Sequence, residues 1–256
     1  MISDPSELNE TLTADLLDEV REFWFEYFED EDALILPGQR ELDRWFIRDD
    51  DFDKICVAQF QHALETIIES GASAADILNA IDTSSPLEWI SIIILLDQVP
   101  RNCYRGDESK VVFEQFDPLA EEITLRAIDA GIPTRSSEVR YRLSYRLWFH
   151  LPLMNSEKIA AHEKAVTLHE ETAKDMGQFL LKNVSTLTED EKKCYASLSL
   201  KYDALSAFLT TTFDFEKRYR VILDRFGRYP NRNKALGRVS TAEEAAYLDN
   251  GGDAFD

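Results

Sequence analysis

A chain of 256 residues that is 44% hydrophobic and 11% aromatic, with only 9 Gly and 8 Pro, has ample material for one large core and excludes a low-complexity or fibrous protein. Its net charge of -21, from 49 Asp and Glu against 28 Lys and Arg, excludes a protein that coats nucleic acid by neutralising phosphates along its length, although it leaves room for a local basic groove. Cys56, Cys103 and Cys194 are odd in number and never in a CxxC spacing, so a reduced cytoplasmic setting is expected; the N-terminus shows no signal-peptide pattern, and the longest apolar run, Trp89 to Leu96, is too short to span a bilayer.

In chain order, Leu16, Leu17, Val20, Phe23, Trp24, Tyr27 and Phe28 recur at helical spacing, which predicts an amphipathic helix over about 13–30. Residues 31–48 read as a loop around Pro37-Gly38, with Trp45-Phe46 folding back onto the core. A second helix is expected over about 50–70, with Gly71 as its cap, and a short one over 74–81. Ser85-Pro86-Leu87-Glu88 combines an N-cap residue, Pro at the first helical position and Glu three residues after the cap. The helix that follows, about 85–98, is apolar nearly all round, which places it at the centre of the structure.

Asp97-Gln98 falls in the last turn of that helix, where the helix dipole disfavours a carboxylate, so a buried Asp97 needs a cation and Arg101 and Arg105 are the nearest. Two readings stand side by side: an ion-pair network tying the helix end to its loop, and a pocket floor built from Asp97, Gln98, Arg101, Asn102 and Arg105. A helical pattern over about 107–130 is either kinked or restarted at Pro118. Ser136 or Ser137 caps the next helix, which interleaves Arg140, Arg142 and Arg146 with Tyr141, Tyr145, Trp148 and Phe149. Ser156 is expected to cap a long acidic helix to about Lys182. His162-Glu163 within it fails the HExxH spacing, and no metal or other cofactor is expected. Thr188 and Glu191 form a capping box for a helix that runs to Phe226, broken near Asp214, and Gly227 ends it. Residues 228–239 are a loop, Ser240-Thr-Ala-Glu243 opens a last short helix, and the acidic tail 249–256 is expected to be disordered.

The whole reads as one all-α domain over 1–248, a bundle of antiparallel helix pairs around the buried helix at about 85–98. Its most distinctive stretch lies between Glu216 and Arg238. There, Lys217, Arg218, Arg220, Arg225, Arg228, Arg232, Lys234 and Arg238 stand against only Glu216 and Asp224. Such a cluster either pairs with carboxylates elsewhere in the fold or faces an anionic ligand.

The blocks Leu95-Leu96-Asp97-Gln98-Val-Pro100-Arg101-Asn102, Leu151-Pro152-Leu-Met-Asn-Ser156-Glu157 and Arg225-Phe-Gly227-Arg228-Tyr-Pro230-Asn-Arg232-Asn233, with Phe23-Trp24-Phe25 and Leu236-Gly237-Arg238-Val-Ser240-Thr241, resemble those of the DUF924 family. The resemblance implies an all-α, tetratricopeptide-like fold. Family members usually carry His where this chain has Asn155, Asn231 and, as aligned, Tyr219. A fungal branch of the family, the arginine-containing cyclodipeptide synthases, joins arginine and a second amino acid from their aminoacyl-tRNAs, and its length and motif layout are similar.

On that resemblance the partners would be arginyl-tRNA and a second aminoacyl-tRNA. Arg225, Arg228, Arg232, Asn233 and Arg238 would meet the tRNA, and Gln98, Arg101, Asn102, Arg105, Asn155 and Trp24 the substrate. Asp97, Glu157 and Glu163 are the candidates for holding the guanidinium and for deprotonating an α-amino group, whose pKa of about 8 needs only a modest base. The competing expectation is a non-enzymatic helical scaffold that binds a protein or an anionic small molecule, with the arginine block held by internal carboxylates.

Overall fold

The computed structural model describes residues 5–26, 28 and 30–254, and among these every regular element is helical. Helices α1 (Pro5–Thr11) and α2 (Ala14–Phe25) open the chain, with Thr13 Oγ1 accepting from Leu16 N to cap α2. The predicted helix over 13–30 therefore stops earlier, and Tyr27 and Glu29 lie outside the described residues. The expected loop over 31–48 holds two short helices, α3 (Asp32–Ile35) and α4 (Gln39–Phe46). Trp45 turns inward as expected, whereas Phe46 remains 51% exposed.

Helix α5 (Asp50–Ser70) ends on Gly71 at φ 62, the left-handed conformation that glycine adopts without strain, and α6 (Ala74–Ala80) follows. In α7 (Pro86–Asp97) the N-terminal signals are used differently from the expected capping box. Ser85 makes no side-chain cap, and Glu88 Oε2 accepts from Asp82 N at 2.7 Å, tying the preceding loop to the first turn. Every residue from Trp89 to Asp97 is buried. A short α8 (Val99–Cys103), a 3-10 turn (Gly106–Ser109) and a π-helical turn (Val112–Phe116) lead into α9 (Asp117–Ala130), so Pro118 sits at a helix start. Helix α7 packs against α2, α5, α8 and α9, as the all-round apolar pattern requires.

The single helix expected after Ser136 is instead a chain of short pieces: α10 (Ile132–Arg135), α11 (Ser137–Arg140), α12 (Leu143–Arg146), a 3-10 turn (Leu147–Phe149) and α13 (Leu151–Met154). The breaks let Tyr141, Leu143, Arg146, Trp148 and Phe149 all turn inward, which one straight helix cannot do for residues so close in sequence. Helix α14 (Ile159–Leu180) begins after Lys158; Ser156 Oγ accepts from Lys158 N at 3.1 Å but is not the cap residue.

Thr188 and Glu191 form the expected box at the start of α15 (Glu189–Leu200). The break before α16 (Tyr202–Phe226) falls at Lys201 and not near Asp214, and α16 closes on Gly227 at φ 69. The last helix, α17 (Ala242–Asp249), is opened by Thr241 with Glu244, one residue later than Ser240 with Glu243. The described part of the tail returns to the fold: Asp253 pairs with Arg218, and its carbonyl accepts from the Tyr247 hydroxyl at 3.3 Å, which a disordered tail would not do. Phe255 and Asp256 lie outside the described residues. No described helix is long and apolar enough to cross a membrane.

Candidate functional site

Helix α7 delivers Asp97 to the middle of the protein, and the short α8 that follows folds Arg101 back over it. Asp97 is 1% exposed and accepts from Gln98 Nε2 at 2.5 Å and from Asn155 Nδ2 at 2.9 Å, with Arg101 Nη2 at 3.5 Å. Burial pushes its carboxyl up from the usual range, more than Arg101 pulls it down. Arg101 Nη2 donates to Asp117 Oδ1 at 2.5 Å, and Arg232 Nη1 donates to Asp117 Oδ2 at 3.1 Å, so two guanidiniums share the first carboxylate of α9. Arg101 and Arg232 are 8% and 3% exposed. Nε and Nη1 of Arg101, and Nε and Nη2 of Arg232, have no hydrogen-bond partner within the protein.

The Arg232 guanidinium lies between two rings, Phe113 at 4.4 Å and Tyr229 at 4.7 Å. Phe113 belongs to the π-helical turn, whose wider winding carries it over Arg232 while the next helix begins with Asp117 beneath.

On the flank, Arg238 grips Glu157 through both terminal nitrogens at 2.7 and 3.0 Å, and Tyr229 N donates to the same carboxylate at 2.7 Å. Burial pushes Glu157 up, but these donors outweigh it and leave the carboxyl below its usual range. Arg228 likewise grips Glu244 at 2.6 and 2.8 Å, with Asn233 Nδ2 at 3.2 Å, and holds that carboxyl down at about 2. Arg105 takes Asp53 in a fork at 2.8 and 2.9 Å and reaches Asn102 Oδ1 at 3.2 Å; Asn102 in turn donates to the Gln98 carbonyl.

A second buried cluster borders the first and was missed by spacing arguments. His162 Nδ1 lies 2.8 Å from Glu216 Oε1, and its Nε2 lies 2.8 Å from the Ser156 carbonyl and 3.0 Å from the Tyr229 hydroxyl, which itself donates to the Met154 carbonyl at 2.6 Å. A carbonyl only accepts, so Nε2 carries a hydrogen, and the Nδ1 to Glu216 contact holds a single proton, on either partner. Ser156 is six positions from His162, but Glu216 and Tyr229 are 54 and 67 positions from it, and no local pattern announces them. Among the described residues, no three His, Cys, Asp or Glu side chains gather as a metal ion would need.

The structure thus brings together Asp97, Gln98, Arg101, Asn155 and Arg232, with Glu157, Arg238, Arg228 and Asn233 on the flank and Asn102 and Arg105 on the side of α5. Three expected members are elsewhere: Arg225 lies at the surface against Glu243, and Trp24 and Glu163 are also apart. Trp24 is 1% exposed in an aromatic cluster, edge-on to Trp148 at 5.5 Å and tilted on Phe52 at 5.6 Å, so it lines no pocket. Glu163 is exposed on α14, a helical step of about 100° away from the inward His162.

Every cation of the basic block has an acidic partner. Lys217 meets Asp214, Arg218 Asp253, Arg220 Asp224, Arg225 Glu243, Arg228 Glu244, Arg232 Asp117, Lys234 Asp107 and Arg238 Glu157. Of the two readings of the block, pairing with the chain's own carboxylates describes it: Arg228, Arg232 and Arg238 are held within the fold, and Lys217, Arg225 and Lys234 pair at the surface. A wide groove of about 790 Å³ opens elsewhere, lined by Asp43, Arg44, Ile47, Arg48, Asp49 and Lys54.

A family model described as "Bacterial protein of unknown function (DUF924)" matches residues 20–252. No curated protein matches the chain. Among solved structures, that of a protein of unknown function, ATU0120 from Agrobacterium tumefaciens, is similar at 26% identity, with a TM-score of 0.57 over 93% of this chain and 99% of that one.

Proposed function

The chain belongs to the DUF924 family, and from that premise we propose that it is a helical scaffold that binds a small anionic molecule between Arg101 and Arg232. One observation carries this reading: the four guanidinium nitrogens of the pair that are buried without a partner in the protein. An unsatisfied buried donor costs about 1–3 kcal/mol, and more when charged. A carboxylate or phosphate presented to the two forks satisfies several such donors at once. Asp117 neutralises one of the pair's two charges, and Asp97, 3.5 Å from Arg101, offsets part of the other. The half-buried Phe113 is the cover that such a ligand displaces.

Thermal melts against a panel of carboxylates and phosphates test the reading. A ligand at a hundred times its Kd stabilises the native state by about 2.7 kcal/mol. Arg232→Gln should abolish the shift and Asp97→Asn should increase it. A panel with no stabilising anion, or a shift that survives in Arg232→Gln, overturns it.

The aminoacyl-tRNA-dependent cyclodipeptide synthase is the second reading, and what favours it is Asp97. This carboxyl, raised by burial and bonded to Gln98 and Asn155, has the character of a proton acceptor for an α-amino group. Its demand for free cations along an acceptor stem has less support, since each cation of the block is paired. Incubation with arginyl-tRNA and mixed aminoacyl-tRNAs, read by mass spectrometry, separates the readings. Cyclic dipeptides lost in Asp97→Asn establish the synthase, and their absence together with no tRNA retention at low salt removes it.

A further inference from the structure

We propose a second, independent site for a small anion of phosphate or carboxylate chemistry, in the cavity where α14 meets the broken helices α10 to α12. The cavity measures about 210 Å³ and is lined by Thr134, Arg140, Arg146, Lys174, Asp175 and Gln178, with Glu171 at its rim. That volume suits an inorganic phosphate or a short carboxylate better than a nucleotide, since drug-sized ligands occupy about 300–1,000 Å³.

Its charge arrangement repeats that of Arg101 and Arg232. Asp175 is a single carboxylate gripped by two guanidiniums, through Arg140 Nε at 2.9 Å and Arg140 Nη2, and through Arg146 Nη1 at 2.8 Å. Arg146 is fully buried, its Nη1 also donates to the Arg140 carbonyl, and its Nε and Nη2 have no partner within the protein. Lys174 adds a third cation at the exposed mouth and makes no ion pair among the described residues. Three cations thus stand against Asp175 and Glu171, in a chain whose total charge is -21, so the surplus is local, at a cavity open to solvent.

A buried guanidinium with unsatisfied N–H groups at the floor of an open cavity is well matched to a planar or tetrahedral oxyanion. Burial also opposes the Arg146 charge, pulling its pKa below the usual arginine value, and a bound anion would reverse that penalty. Lys174 would close over the anion from the solvent side, while the Gln178 amide supplies a neutral donor.

Calorimetric titration of the full chain with inorganic phosphate and, separately, with succinate, at ionic strength held constant with chloride, tests this site and identifies which anion chemistry it takes. One or both anions should bind wild type. Lys174→Gln, an exposed change that leaves the fold intact, should weaken binding by about five-fold or more, as expected for one lost charge at a partly enclosed site. Arg146→Met should abolish the binding component that Lys174→Gln weakens, leaving any component owed to Arg101 and Arg232, and circular dichroism with a cooperative melt reports whether that variant folds. Arg232→Gln should leave this binding unchanged, which separates the cavity from the Arg101 and Arg232 pair. Binding of neither anion, equal binding in Lys174→Gln, or loss in Arg232→Gln with Lys174→Gln unaffected overturns the proposal.

Discussion

His162 and Glu216 meet at 2.8 Å with neither side chain exposed, and they hold one proton between them. Because the pair is neutral as a whole whichever atom carries that proton, replacing Glu216 with a neutral donor is mild. Glu216→Gln can offer its amide N–H to Nδ1 and should cost less than about 1.5 kcal/mol. Glu216→Ala leaves Nδ1 unpaired beside a new void and should cost about 3 kcal/mol or more. Urea denaturation of the two variants checks the ordering, and equal losses would mean that the contact contributes no specific hydrogen bond.

Glu157 is the clasp between the start of α14 and the loop after α16, since it accepts from Arg238 twice and from Tyr229 N. Glu157→Ala should therefore lower stability by about 1.5–3 kcal/mol, discounted toward the lower figure because both side chains are about a quarter exposed. For a chain of this size that is roughly 3–10 °C in Tm. Differential scanning calorimetry measures it, and Glu163→Ala, on the exposed face of the same helix, is the control expected to change Tm little.

Stability should fall on mild acidification, before the carboxylates titrate. Burial pulls His169 down to about 4, well below the ordinary imidazole range, and His150, tilted against it with ring centroids 3.9 Å apart, is pulled down as well, by burial first and by His169 and Arg146 after it. The groups facing the pair include Arg146, which shares its enclosure, and Asp175, which neutralises Arg146 from the other side. The unfolded chain takes up protons on these imidazoles below pH 6.5 while the folded chain does not. The contribution is therefore complete above pH 6.5 and is lost as pH falls toward 4, by about 3 kcal/mol for His169. Chemical denaturation at pH 7.5, 6 and 5 should show the decline, and His169→Phe should flatten it.

The three cysteines should be inert in the native protein. All are buried, and burial raises each thiol, Cys103 to about 12 and Cys194 to about 11, with Cys56 higher still. Almost no thiolate exists at neutral pH, and the thiolate is the reacting species. Titration with a thiol reagent at pH 7.5 should register fewer than one reactive group per chain before denaturation and three after it. Fast native reaction at Cys103 would instead point to a reactive thiol beside Arg101 and Arg105.

The sequence by itself determined the helical class, the central place of α7, and the helix ends set by Pro86, Gly71, Gly227 and the Thr188 and Glu191 box. These follow from interactions within about four residues, which read the same before and after folding. Part of the candidate site was legible for the same reason: Asp97, Gln98 and Arg101 occupy one helix end and its return. Only the tertiary structure decided where the basic block points. Arg232 finds Asp117 across 115 positions and Arg238 finds Glu157 across 81, so a run that reads as an anion-seeking surface closes on the chain's own carboxylates. Glu163 and Trp24 fell away because a helix step of one residue, or the packing of one indole on another, turns a side chain from site to solvent or to core. The unpartnered nitrogens of Arg101, Arg232 and Arg146 are likewise visible only once the fold has removed water and neighbours from around them. Two arginines sharing one aspartate, at Asp117 and again at Asp175, are products of packing and not of any spacing in the chain.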